Sequence, residues 1–221
     1  MKRNHSVLVA ILMLLSGILA CSVFSNTSPS VPEVLFEESD FLDTGCFFAN
    51  SNDEVAFFVE EGAFHIEILV PDWYALSPCL DDITFSDFVV EVDATQEADV
   101  DHNLYGLMFR YDNVARDYYY FGISGDGNYT LVYDNLNENK PTTKLIDWKY
   151  SDAINIGSSS NHLKVMAVGD TFQLYVNDQL LEIVQDSRIS SGSVGFVVSA
   201  PLESGVHIVF DNLIITAPED E

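Results

Sequence analysis

The chain has 221 residues, 35 of them acidic against 9 basic, and a formal net charge of −26 at pH 7. That charge repels phosphate backbones and anionic headgroups, which excludes nucleic acid as a partner. Aromatic residues at 12% and hydrophobic residues at 48% exclude a disordered chain and supply enough apolar surface for one core.

Met1-Lys2-Arg3-Asn4-His5 is a short positive start, followed by an apolar run from Val7 to Leu15 and mostly small or apolar residues from Ser16 to Ala20. This is the layout of a signal peptide. The run is shorter than the about 20 residues that a membrane span needs. Ile18-Leu19-Ala20-Cys21 resembles the lipobox of bacterial lipoproteins. The resemblance implies a signal peptide over residues 1–20, cleavage before Cys21, lipidation of Cys21 and an extracytoplasmic, membrane-anchored product at the cell surface. Leu19 departs slightly from the pattern. A plain signal peptidase site and an uncleaved anchor helix therefore stay open as alternatives.

Residues 21–34 carry Ser, Asn, Thr, Pro29 and Pro32 without periodicity and read as a flexible linker. Loss of residues 1–20 leaves 7 basic and 35 acidic side chains. One domain over residues 35–217 accounts for the rest, with an acidic tail at 218–221. Cys46 and Cys79 remain after export, and an oxidising compartment predicts a disulfide between them. Two reduced thiols are the alternative, and a zinc site needs more ligands than these.

The domain reads as short strands separated by turn residues. Val55 to Glu60 is followed by Gly62 and Ala63 to Leu69, and Phe88 to Thr95 is rich in Val. Leu104 to Tyr111, Tyr118 to Ser124 and Tyr129 to Asp134 form one meander. His162 to Val168, Thr171 to Val176 and Gln179 to Val184 form another. Ser193 to Ser199 and His207 to Ile215 close the chain. Gly169-Asp170 and Asn177-Asp178 are two-residue hairpin turns that accept positive φ, and Ser124 to Asn128 is a longer glycine-bearing loop. No segment holds a long 3.6-residue period. The fold class is all-β, an antiparallel β-sandwich or barrel.

Leu104-Tyr-Gly-Leu-Met-Phe-Arg110, Tyr118-Tyr-Tyr-Phe121, Leu174-Tyr-Val-Asn-Asp178, Ser191-Gly-Ser-Val-Gly-Phe196 and Val209-Phe-Asp-Asn-Leu213 follow one another in this order. The order resembles the concanavalin A-like lectin/glucanase sandwich, closest to its laminin-G-like and 3-keto-disaccharide hydrolase-like (DUF1080-type) branch. The resemblance covers residues 36–215. It implies a jelly roll with a convex sheet, a concave sheet and a groove on the concave side. Functions within such folds vary, so the fold does not settle activity.

Strand alternation sorts the side chains. Tyr105, Leu107, Phe109 and Tyr111 are expected in the core, as are Tyr119, Phe121 and Ile123, and Phe88, Val90 and Val92. If their strands are neighbours, the opposite face collects Glu91, Asp93, Arg110, Tyr118 and Tyr120. Three readings of that cluster are open: an ion pair of Arg110 with Glu91 or Asp93, a sugar groove with Tyr platforms, and a glycosidase acid pair. The glucanase pattern Glu-x-Asp-x-x-Glu is broken, because Gln96 stands where its third acid belongs.

Trp148 is either a sugar platform or a core plug, and Trp73 is similarly open. Asp99, Asp101 and Asn103 alternate oxygen ligands in the manner of calcium sites, although a solvated acidic loop reads better; Asp81, Asp82 and Asp126 are weighed the same way. No cofactor other than calcium is implied. The five histidines lack metal-ligand spacing, and no Gly-x-Ser-x-Gly elbow occurs. The expected role is a non-catalytic module for glycan or another extracellular partner. The alternatives are a hydrolase of the 3-keto-disaccharide type and a structural or adhesion domain with protein partners.

Overall fold

The computed structural model describes residues 31–41, 46–47, 49–79, 83–137 and 141–219. The signal peptide, Cys21, the linker to residue 30, and Asp81 and Asp82 lie outside the described residues. Fifteen strands follow in order: β1 Val34–Glu38, β2 Asn50–Ser51, β3 Val55–Glu60, β4 Ala63–Ile68, β5 Trp73–Pro78, β6 Phe88–Gln96, β7 Leu104–Tyr111, β8 Asp117–Ile123, β9 Asn128–Asn135, β10 Thr143–Tyr150, β11 Ser160–Val168, β12 Thr171–Val176, β13 Gln179–Gln185, β14 Ser193–Ala200 and β15 Val206–Thr216. There is no helix among the described residues.

The strands form two antiparallel sheets. The nine-stranded sheet runs β13-β12-β11-β6-β15-β4-β3-β2, with β1 also paired to β15, and the six-stranded sheet runs β10-β9-β8-β7-β14-β5. The arrangement is a jelly-roll sandwich of the concanavalin A-like kind.

Alternation explains the packing. Phe88, Val90, Val92 and Ala94 of β6 are fully buried, and Glu91, Asp93 and Thr95 between them are half-buried on the outer side. Leu163, Val165 and Ala167 of β11 and Phe172, Leu174 and Val176 of β12 continue the same inner layer. From the six-stranded sheet Tyr105, Leu107, Phe109, Tyr119, Phe121 and Phe196 meet it. Phe196 and Phe210 stack across the layers at 4.1 Å, and Phe109 meets Phe172 edge-on at 5.2 Å. Each buried ring of this size contributes roughly 2–3 kcal/mol relative to leaving it exposed.

The turns follow their residues. Asn177 and Asp178 both take positive φ, at 50° and 64°, as a type I′ hairpin requires. Gly169 takes φ 56° at the other two-residue turn. Cys46 and Cys79 form a disulfide. Four strands, β1, β2, β5 and β10, lie where the sequence gives no strand signal. β2 has two residues. β10 is an edge strand whose register against β9 slips twice, which erases its alternation.

Bulges interrupt two strands. Between Tyr111↔Ser193 and Met108↔Gly195, β7 holds one residue more than β14. Arg110, at φ 51°, is that residue. Between Asp211↔Asp93 and Ile214↔Glu91, β15 holds one more than β6, and Asn212 takes φ 55° there. A bulge shifts the phase of the alternation beyond it.

Candidate functional site

The expected cluster does not form. β6 belongs to the nine-stranded sheet, while β7 and β8 belong to the other. Glu91 and Asp93 therefore face out on one side of the sandwich, and Tyr118 and Tyr120 on the opposite side. Alternation gives the outward face of Glu91, Asp93 and Tyr120 but carries no information on which strands are neighbours.

Glu91 and Asp93 instead hold His162, which stands opposite Asp93 on β11. Its Nδ1 lies 2.8 Å from Asp93 and its Nε2 3.2 Å from Glu91. Lys164 adds an ion pair to Glu91 at 2.8 Å, and the Asn212 amide donates to Asp93 at 3.0 Å. The hydrogen bond from His162, joined by Lys164, outweighs burial and pulls the Glu91 carboxyl down to about 2. The bond to Glu91, joined by Asp93, lifts His162 to about 9. The two carboxylates are thus tied up in a charge network.

Arg110 is a further correction. The bulge turns it inward, fully buried, where it donates to the carbonyls of Ile189 at 2.9 Å and Ser86 at 2.8 Å. Its guanidinium lies over the Phe172 ring at 5.1 Å. It approaches neither Glu91 nor Asp93; its nearest carboxylate is Asp87, at 3.9 Å. The same shift moves Tyr111 out of the expected core and onto the outer face, beside Met108 and Tyr118.

The outer face of the six-stranded sheet carries Tyr74, Tyr118 and Tyr120. The Tyr74 and Tyr118 hydroxyls share a hydrogen bond at 3.1 Å, and Tyr118 donates to Asp134 at 3.2 Å. Tyr118 is fully buried, whereas Tyr74 is exposed at its edge and Tyr120 is half-buried. Burial pushes the Tyr120 hydroxyl up to about 12, so it stays a neutral donor.

At one end of this face lies a cavity of about 310 Å³ lined by His102, Asn103, Ser124, Asp126, Asn128, Trp148 and Pro201. The β6–β7 loop brings His102 and Asn103, and the β8–β9 hairpin brings Ser124, Asp126 and Asn128. Trp148 comes from edge strand β10 and is 42% exposed. Ser124 donates to Asp126, and its backbone closes the hairpin onto Asn128. Burial raises the Asp126 carboxyl, but bonds from Ser124 and Asn128 and the nearby His102 outweigh it and hold it below the usual range. The cavity thus pairs one exposed indole face with a fixed carboxylate and several neutral polar groups.

The calcium candidates diverge. The Asn103 amide is buried, donating to Gln96 at 2.7 Å and accepting from the Gly125 N–H at 2.8 Å. Asp99 and Asp101 are exposed. Among the described residues no three His, Cys, Asp or Glu side chains converge on a metal-sized point. Of the residues expected to bind sugar, Trp148 lines the cavity and the others do not; Asn103 and Asp126, weighed as calcium ligands, line it as well. Their companions there, His102, Ser124, Asn128 and Pro201, were not singled out as ligands. The clue available was the Ser124–Asn128 hairpin, but the pairing of β10 with β9 that sets Trp148 beside it is hidden by the irregular register.

The architecture is that of the galectin-like and concanavalin A-like β-sandwiches. No family model matches the chain. A levanase of Bacillus subtilis (strain 168) is 32% identical over 113 residues, covering 51% of this chain and 16% of the levanase. The chain thus spans a small part of that protein. Among solved structures, the carbohydrate-binding module CBM66 from Bacillus subtilis has a TM-score of 0.52 at 22% identity, covering 79% of this chain and 92% of that one. A protein of unknown function with a galectin-like fold, also from Bacillus subtilis, has a TM-score of 0.60 at 10% identity, covering 84% and 96%. The catalytic domain of an endo-1,3-beta-glucanase (laminarinase) from Thermotoga petrophila RKU-1 has 0.60 at 7%, covering 86% and 99%. At these identities the likenesses show the fold.

Proposed function

We propose that this chain is a non-catalytic carbohydrate-binding module, exported and held at the membrane through a lipid on Cys21, and that it takes sugar in the cavity beside Trp148. The observation that carries the reading is that exposed indole set against Asp126, Asn128 and His102 in one cavity. An aromatic face buries the apolar side of a sugar ring, while fixed acceptors and donors read its hydroxyls. The partial identity to a levanase and the fold shared with CBM66 support the same class of ligand. The disulfide supports an oxidising, extracytoplasmic setting.

A hydrolase of the 3-keto-disaccharide type remains the alternative. The two-carboxylate scheme common among glycosidases finds no support here, because Asp126 is the only acid lining the cavity among the described residues and Glu91 and Asp93 are tied to His162. A third alternative, an adhesion domain, predicts no sugar binding.

Titration of the exported protein with levan, laminarin and a wider glycan panel tests the reading. Binding that weakens at least about tenfold in Trp148→Ala, or about 1.4 kcal/mol, is the expected result. Silence across the panel, or equal binding by the variant, removes it. Mass spectrometry of the exported form tests the anchor, and an unmodified thiol at position 21 would refute it.

A further inference from the structure

His65 and His207 stand on the outer face of the nine-stranded sheet, with no part in the cavity beside Trp148. β4 and β15 are paired there, with His65 opposite Val209 and Glu67 opposite His207. The two imidazoles are therefore diagonal neighbours, and Nδ1 of His65 lies 3.0 Å from Nε2 of His207. We propose that this pair is a chelating site for a divalent transition ion of square-planar preference, copper(II) before nickel(II).

The tautomers favour it. A carbonyl oxygen only accepts, so the 3.3 Å contact of His65 Nε2 with the Glu60 carbonyl puts the His65 proton on Nε2. That leaves a lone pair on Nδ1 aimed at His207. Such an outer hydrogen bond is the usual device that orients a ligand histidine. Without an ion, His207 Nε2 donates to this lone pair. Moving the His207 proton to its Nδ1 frees a second lone pair, and no proton is lost from the neutral pair.

The spacing selects the ion. With metal–nitrogen bonds of about 2.0–2.1 Å, nitrogens 3.0 Å apart subtend roughly 95° at the ion, whereas a tetrahedral ion such as zinc sets them about 3.3 Å apart. Angles near 90° suit tetragonal copper(II) and nickel(II), and copper binds such nitrogens most tightly in the divalent series. Each ring turns by roughly 40° from the hydrogen-bonded arrangement so that both lone pairs meet at the ion.

Phe58 is stacked on His65 at 4.7 Å and 16°. Both histidines are half-buried and reach solvent. The two imidazoles supply the protein's ligands, and water fills the remaining positions. The net charge of −26 raises the local concentration of cations.

The untagged full protein is titrated with Cu²⁺ alone, followed by calorimetry and electron paramagnetic resonance. One ion per chain with a two-nitrogen spectrum is expected. His65→Ala and His207→Ala each weaken it by more than the roughly 10–100-fold typical of losing an outer partner, and His102→Ala leaves it unchanged. No binding by the wild type, or an unaltered spectrum in the double variant, overturns the site. Unfolding gives a second readout. Copper raises the wild-type midpoint and leaves that of His207→Asn unmoved, whereas equal shifts in both overturn the proposal.

Discussion

The hydroxyl groups of Tyr74 and Tyr118 lie 3.1 Å apart although β14 and β7 run between their strands. Three strand steps measure about 14 Å in a flat sheet, so two upright side chains meet only if the sheet curls toward that face. Gly106 and Gly195 permit the curl. A Cβ at Gly106 would stand 2.2 Å from the Phe121 carbonyl oxygen, and one at Gly195 2.4 Å from that of Ser77. Both obstacles are backbone and have little room to shift. Gly106→Ala and Gly195→Ala are each expected to cost about 1–3 kcal/mol, read as a lower urea midpoint. An unchanged midpoint would mean the two strand pairs can separate freely there.

Stability should depend on pH through His162. Its folded pKa of about 9 lies above its ordinary 6.5. The stabilisation is therefore complete below about pH 6.5 and is lost as pH rises through about 9. Glu91, held at about 2 against an ordinary 4.5, contributes above about pH 4.5 and loses its effect as pH falls toward 2. The side chains of His162 and Glu91 are 33% and 27% exposed, so screening limits the net effect to about 1 kcal/mol. Urea midpoints measured from pH 7 to 10 are expected to fall for the wild type, and to fall less for His162→Gln. Identical slopes would remove His162 as the cause.

Arg110 ties two loops to the end of the core through Ser86 and Ile189. Nearby, the Tyr119 hydroxyl accepts the Ile189 N–H at 3.2 Å and donates to Asp186 at 2.6 Å. Arg110→Met keeps the apolar stem but leaves both carbonyls without their donor. A hydrogen bond to a charged group contributes about 1.5–3 kcal/mol, so the variant should lose roughly 2–4 kcal/mol. Faster proteolysis within residues 186–190 would accompany it. A variant as stable as the wild type would show that water replaces the guanidinium.

Arg110 also marks where sequence reasoning stops. Period two assigned Tyr105, Leu107 and Phe109 to the core correctly, because hydrophobic alternation reports burial directly. It failed at the next residue, since a bulge at a non-glycine position leaves no compositional trace. Eleven of the strands had Val, Tyr or Phe alternation bounded by Gly, Asn or Asp. β5 and β10 did not: one is bracketed by prolines and the other is charged along an irregular edge. The site was less legible than the fold because it depends on strand order. Trp148, Asp126 and His102 are up to 46 residues apart in the chain and meet only because β10 pairs β9 beside the β6–β7 loop.

The Cys46–Cys79 disulfide closes a separation of 33 residues. Chain entropy gives such a loop about 3–4 kcal/mol through the unfolded state. Both cysteines are nearly fully buried in the main core, so replacement by Ala also leaves a small void. The Cys46→Ala/Cys79→Ala protein is expected to unfold at a lower temperature. The sheet signature in circular dichroism should be retained at 25 °C, because Ala keeps the backbone N–H through which residue 79 bonds the Val194 carbonyl at 2.8 Å. Loss of that signature at 25 °C would show that the link is needed for folding itself.

Asp126 separates recognition from stability. Its carboxyl is raised by burial but held below the usual range on balance by Ser124, Asn128 and His102, so it stays ionised down to mildly acidic pH, as the proposed acceptor of sugar hydroxyls requires. Asp126→Asn keeps the shape but replaces one acceptor oxygen with a donor. Glycan affinity is expected to drop about tenfold, since a charged hydrogen bond contributes roughly 1.5–3 kcal/mol, with little change in the unfolding midpoint. Wild-type affinity should stay level from pH 8 to 5, because the lowered pKa places protonation below that window. A steep loss of binding between pH 6 and 5 would overturn the role given to the Asp126 carboxylate. An affinity unaffected by Asp126→Asn would move the recognition of hydroxyls to Asn128 and Ser124.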